Sequence, residues 1–341
     1  MATTIKDIAR LSGCGVATVS RVLNRHPDVS EETRRKVMAV VEANGFQPNT
    51  NARSLKQQSG AGIALVVKGS QNMLFADLVE RVQALLRQAG RDAFVYYLDE
   101  NADEVSCGLT ICRERKPLGI MFLGGDLERF RMGFQSIAVP CLLLTSSAEG
   151  LGFPNLSSVT TNDEEAAGQV IRFLADCGHR KIGVLGGAWS DSREGYNRFR
   201  GCRLAFRELD LSFERERQYE PCRFSMPDAY AAARRLAVRS PELTAIFAVG
   251  DVLAVGAIRA LRDLGKRVPE DVSVVGYDGV ALADYFVPRL ATVRQDTRRM
   301  AERGVDLLLR MIERGSPPLH EVVPFRLITG ESVARLNEAA R

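Results

Sequence analysis

Apolar residues recur at three-and-four spacing through the first 45 positions, and then the rhythm changes. Ile5, Ile8 and Ala9, then Val19, Val22 and Leu23, then Val37, Val40 and Val41 each mark one buried face of a short helix. A turn at Ser12-Gly13-Cys14 separates the first two. Ser30-Glu31-Glu32 opens the third with a cap and two carboxylates, and Asn44-Gly45 ends it. Three such faces close one small core, which predicts a unit of the helix-turn-helix type. Burying 19, 22 and 23 turns Val16, Ala17, Ser20 and Arg21 outward along a single stripe.

From residue 61 the chain alternates short apolar runs with amphipathic stretches. "GIALVV", "AFVYYL", "GIMFLG", "CLLLT", "KIGVLGG", "TAIFAVG" and "VSVVGYD" read as strands; "FADLVERVQALLRQAG" and "DEEAAGQVIRFLADCG" read as covering helices. This order predicts an α/β body of parallel sheets. A chain of 341 residues exceeds one ordinary core, so the body should form two lobes.

Charge sharpens the division. Residues 1–60 carry nine Lys/Arg against five Asp/Glu, whereas residues 61–341 balance 37 against 37. A basic unit on a neutral body points to a polyanion as partner of the small unit. No apolar run approaches the roughly 18 residues of a membrane span, and Lys6, Asp7 and Arg10 stand where a signal peptide would be apolar. A cytoplasmic protein with no membrane partner is expected. The seven cysteines are scattered and never spaced C-x-x-C, which fits reduced, mostly buried thiols without a metal.

"TIKDIARLSG" with "ATVSRVLN", the V-S-x-x-T-R-x-x-V run and the ending P-N-x-x-A-R-x-L closely resemble the DNA-binding headpiece of the lactose-repressor (LacI/GalR) family of bacterial transcription regulators. The resemblance implies a headpiece over 1–47, a hinge helix and linker over 48–60, and an effector-binding and dimerisation core over 61–341. Small, apolar Val16 and Ala17 could meet thymine methyl groups, and Arg21 could read guanine or phosphate; Thr18, Ser20 and Asn24 suit backbone contacts. In the hinge, Ala52, Arg53 and Leu55 match the A-R-x-L motif, and Leu55 corresponds to the family's minor-groove wedge; the alternative is a polar tether whose leucine packs on the core. One departure is Gly13-Cys14-Gly15, where the family has Gly-Val-Ser, so Gly15 caps the second helix without a side-chain oxygen.

The body resembles the same family's core, of periplasmic-binding-protein fold, in "FLADCGHRKIGVLGG", "NRFRGCRLAF", "VGDVLAVGAIRAL", "VPEDVSVVGYDG" and "PRLATVRQD". That fold implies interleaved lobes, about 61–161 with 292–322 and 162–291 with 323–341. Ligands of open parallel sheets bind at the carboxyl ends of the strands, which here selects Asp278. By resemblance Asp278 and Arg198 are effector contacts; Asn72 and Phe75 follow the first strand, Phe224 follows the strand near 219, Gln295 stands at a lobe crossover, and Trp189 sits in the Gly-rich loop. The expected effector is a sugar or related metabolite. Gly250-Asp251 and Asp278-Gly279 stand where the family commonly has Asn-Asp and Asp-Asp, so a frequent ligand hydrogen bond is missing and Asp251 reads as a helix cap.

Enzyme classes find no motif. No strand leads into G-x-G-x-x-G, there is no G-x-S-x-G elbow or Walker sequence, and His26, His179 and His320 lack metal-ligand spacing. His179 reads as a helix-terminal group. The sequence therefore predicts no catalytic residue, metal or cofactor, and a homodimeric, ligand-controlled repressor of a near-palindromic operator. The rival is a periplasmic-type solute-binding protein without a regulatory role, which would have no use for residues 1–60.

Overall fold

In a computed structural model of the protein, residues 5–23, 29–43, 62–69, 72–187 and 196–336 are described. The chain divides into two compact units, Met1–Gly60 and Ala61–Arg341.

The first unit contains α1 (Ile5–Ser12), α2 (Val16–Leu23) and α3 (Glu31–Ala43). Ile8, Val19, Val22, Val37 and Val41 close its core, with Val40 at the edge. Ser30 Oγ accepts the Thr33 amide at 3.3 Å and caps α3. Gly15 precedes α2, and its carbonyl takes the first helical bond, from the Val19 amide at 3.0 Å.

The second unit is built on two six-stranded sheets. The first has the order β11-β5-β4-β3-β1-β2: β1 (Ile63–Lys68), β2 (Ala93–Leu98), β3 (Gly119–Leu123), β4 (Cys141–Leu144), β5 (Leu156–Thr161) and β11 (His320–Val323). The second has the order β12-β10-β9-β8-β6-β7: β6 (Ile182–Leu185), β7 (Tyr219–Glu220), β8 (Ala245–Ala248), β9 (Ser273–Asp278), β10 (Ala291–Gln295) and β12 (Phe325–Ile328). All pairings are parallel except β12 against β10.

Apolar runs without alternation follow from burial on both faces. Along β1, Ile63, Leu65 and Val67 join one core with Leu78 and Leu308, while Ala64 and Val66 join another with Phe130 and Phe134. The helices flanking β5 and β10 are α7 (Asp163–Asp176) and α13 (Thr297–Arg314), numbered after α4 (Met73–Gln88), α5 (Glu104–Arg115) and α6 (Leu127–Gly133), with α8 (Tyr196–Glu208), α9 (Arg215–Gln218), α10 (Met226–Arg239), α11 (Asp251–Asp263) and α12 (Ala281–Tyr285) between them.

Three crossovers join the lobes: after Thr161, after Gln295 and between Val323 and Phe325. The sequence boundary at 292 therefore moves. Residues 292–295 pair with β9 and β12 and so belong to the second lobe, whereas Val323 pairs with Thr161 in the first. All seven cysteines are free, but only Cys141, Cys177 and Cys202 are buried, fewer than expected. His179 is 1% exposed. Of the two readings of a helix-terminal histidine, a positive charge or a backbone hydrogen bond, the second holds: Nε2 donates to the Ala334 carbonyl at 3.0 Å, Nδ1 meets Thr244 Oγ1, and burial lowers its pKa.

Candidate functional site

Between the lobes, at the carboxyl ends of the strands, a cavity of about 30 Å³ is lined by Asn72, Leu74, Phe75, Thr145, Ser146, Asp163, Arg198, Phe224 and Asp278. Five of the residues expected at an effector site thus converge from both lobes. Trp189 lies outside the described residues. Gln295 does not line the cavity; its amide donates to Asp278 Oδ1 at 2.8 Å, and its carbonyl accepts the Thr161 hydroxyl at 2.9 Å. It is a strut between two crossover strands.

Arg198, on the inner side of α8, is held from all sides. Its guanidinium donates to Asp163 Oδ1 at 3.1 Å and to the Val249 carbonyl at 2.7 Å, lies 3.5 Å from Asp278 Oδ1 and stacks 3.7 Å from the Tyr277 ring centroid. The Tyr277 hydroxyl donates to the same Asp163 oxygen at 2.5 Å. Burial and Asp163 together push the Tyr277 phenol well above its usual range. Arg198 is therefore first a keystone between two carboxylates and an aromatic ring, and only secondarily a group facing the cavity.

Asp278 is 3% exposed, and burial raises its carboxyl to about 6 against the pull of Arg198. Its φ of 109° and the φ of 71° at Thr145 are left-handed conformations that L-residues avoid, one at each side of the cavity. Asp251 sustains the first of these. It is not the cap of α11, because Gly250 occupies that position in extended conformation without a side-chain bond. Its buried carboxyl group instead accepts the Val280 amide at 2.8 Å and the Thr292 hydroxyl at 2.6 Å, which fixes the loop after β9. Burial, with Asp278 nearby, raises Asp251 to about 8.

The Gly250 departure has a steric partner. A Cβ at 250 would stand 3.2 Å from Phe224 Cε1, so the Phe224 ring occupies the space into which a side chain at 250 would grow. Asn72 caps α4 by accepting the Leu74 amide at 3.0 Å, which leaves its NH₂ group for a ligand.

Leu74, Thr145, Ser146 and Asp163 were not expected. Thr145 and Ser146 follow the run "CLLLT", and the strand-end rule applied there would have found them. Asp163 carried no such signal, because β5 reads "LSSVTT" and does not look like a buried strand.

In the headpiece, Arg21 is exposed and Thr18 half-buried on α2. The side chains of Val16, Ala17 and Ser20 lie outside the described residues, as do Asn24, Ala52, Arg53 and Leu55. Among the described residues no group of His, Cys, Asp and Glu could hold a metal ion.

Residues 4–49 match "Bacterial regulatory proteins, lacI family", and residues 171–333 match a periplasmic binding protein-like domain. The HTH-type transcriptional regulator MalR of Clostridium butyricum is 32% identical over 96% of this chain and 98% of its own. The chain belongs to the lacI family of bacterial regulatory proteins. Within that family it is a helix-turn-helix transcription regulator with a two-lobed, ligand-binding type of core. A solved complex of the transcriptional regulator CelR with cellobiose is 27% identical, covers 97% of this chain and 99% of that one, and has a TM-score of 0.70. The lac repressor dimer bound to operator and the anti-inducer ONPF, 23% identical, shares the fold over 98% of this chain and 100% of that one, with a TM-score of 0.72.

Proposed function

We propose that the protein is a cytoplasmic, non-catalytic repressor that binds a near-palindromic operator as a homodimer and is controlled by a small polyhydroxylated effector, a sugar or related metabolite. The observation that carries this reading is the convergence of Asp278, Arg198, Asn72, Phe75 and Phe224 on one interlobe cavity. A carboxylate beside a guanidinium, flanked by two aromatic rings, suits hydroxyls on one side and an apolar ring face on the other. The cellobiose bound by CelR supports that chemistry. Thr18 and Arg21 of α2, and the hinge residues Ala52, Arg53 and Leu55, are the proposed DNA contacts, with Val16, Ala17, Ser20 and Asn24 beside them. Homodimerisation is supported by Tyr285, the last residue of the short helix Ala281–Tyr285, and Val287 just beyond it, 85% and 83% exposed, an unusual pair of apolar side chains in water.

Light scattering with and without Tyr285→Ser/Val287→Ser tests the dimer, a monomeric wild type being the outcome against it. Thermal-shift screening of mono- and disaccharides, sugar acids and nucleobases, followed by operator titration with each hit, tests the rest. A hit should alter operator affinity, and operator binding should weaken steeply with salt as phosphate contacts release counterions. Hits that leave operator affinity unchanged, with a flat salt response, would favour a solute-binding protein.

A further inference from the structure

The interlobe space has a second, larger chamber. A cleft of about 700 Å³ is lined by residues of the first lobe, among them Lys68, Glu100 and Arg129, and of the second, among them Cys222, Arg223 and Phe224. Phe224 borders both this cleft and the 30 Å³ cavity, so the residue stands where the two meet. The inner cavity has room for a water molecule but not for a sugar ring.

At the rim of the outer cleft the lobes are bonded to each other. Arg223 Nη2 donates to Asp99 Oδ2 at 2.6 Å, its Nε lies 3.7 Å from Glu100 Oε2, and that same Glu100 oxygen accepts the backbone amide of Phe224 at 3.0 Å. Asp99 and Glu100 follow β2; Arg223 and Phe224 follow β7. These are the outermost strands of their sheets on the side away from the crossovers, which lie beside β5, β10, β11 and β12. A rotation of one lobe about those crossovers displaces this rim most. A bond there has the longest lever arm against opening, while the Thr161–Gln295 bond at the crossovers has the shortest.

We infer that Asp99, Glu100 and Arg223 form a cross-lobe latch that holds the cleft shut and pins Phe224 as a gate over the inner cavity. The Asp99 and Arg223 side chains are 60% and 49% exposed, so their pair is individually weak. Weakness suits a latch, because closure then yields to modest forces. The Phe224 amide bond to Glu100 is what couples the ion pair to the gate: when Arg223 lets go, the adjoining residue 224 loses its anchor. The gating role rests on the inner cavity being the effector site; the latch does not, and its test uses no effector.

Cys222, next to Arg223, lines the outer cleft and is partly buried. Cys107 and Cys112 lie on α5 in the first lobe, also partly buried, and serve as internal references. Full-length wild type, Arg223→Ala and Glu100→Gln are treated with N-ethylmaleimide, and alkylation of each cysteine is followed by peptide mass spectrometry. Cys222 should react at least about threefold faster in both variants, with Cys107 and Cys112 unchanged. An unchanged rate at Cys222 in both overturns the latch. A parallel rise at all three cysteines overturns it too, since the contacts would then stabilise the fold as a whole.

Discussion

At the scale of single residues, Arg198 is the most consequential side chain in the cleft. Removing it strips Asp163 and Asp278 of their shared cation, and an unpaired buried charge costs several kcal/mol. Arg198→Ala should therefore lower unfolding stability in urea by about 3 kcal/mol, and Arg198→Lys should recover little of it, lacking the planar fork that serves Asp163, Val249 and the Tyr277 face. Stability equal to wild type in the alanine variant would return Arg198 to a purely ligand-directed role. Asp251 makes the complementary prediction for pH. Its folded pKa, about 8, lies above the ordinary aspartate value of 3.8, so between the two the folded protein holds a proton that the unfolded chain has released. Stability contributed by this group is full below about pH 4 and falls as pH rises toward 8. Asp251→Asn, which mimics the protonated acid, should flatten that decline when denaturation midpoints are compared from pH 5 to pH 8. Asp278 was legible in the sequence because an apolar run ends on it. The role of Asp251 was not, because a side chain that reaches back to the loop after the next strand leaves no local pattern.

At the scale of elements, the legible strands were the ones buried on both faces by aliphatic residues. β5 escaped because its burial is hydrogen-bonded: Ser157 Oγ accepts the Leu319 amide, Ser158 Oγ meets His320 Nδ1 and accepts the Ala148 amide, and Thr160 donates to the Thr145 carbonyl. Such hydroxyls satisfy the β11 edge and the turn after β4, and no periodicity rule sees them. β10 was recognised as a motif yet placed in the wrong lobe, because the pairing partner of a strand is a tertiary fact. The contact of α7 with α8 was equally invisible, although Gly201 announces it in retrospect. A Cβ at Gly201 would drive into the backbone carbonyl of Glu164, so the two helices meet at bare backbone. Gly201→Ala must push α8 outward, and with it Arg198, three residues upstream on the same helix. The expected loss is about 3 kcal/mol of stability in urea denaturation together with effector binding. A fully stable Gly201→Ala variant would show that α8 has slack at this point.

At the scale of the molecule, the headpiece is one uninterrupted segment, while each lobe of the core is stitched from separated pieces of chain. Translation runs from the N-terminus, so the DNA-reading unit is complete while most of the core is still unwritten. The first sheet waits for β11 at His320–Val323 and the second for β12 at Phe325–Ile328, so neither lobe is finished until the ribosome has passed every other strand of both sheets. The closing contacts come later still: Ser332 Oγ donates to the Val274 carbonyl at 2.6 Å and accepts the Ala291 amide at 2.9 Å. A nascent chain stopped at residue 318 would expose β5 and β10 as open edges, which are templates for association with other chains. Such a truncation should be recovered in the insoluble fraction, while one that ends at 336 should be soluble. A soluble, monodisperse 1–318 product would mean that the lobes close without their last strands. For a regulator, this order of synthesis means that an unfinished copy can carry a finished reading head, and the late-arriving strands decide whether that copy persists in the cell long enough to compete for an operator.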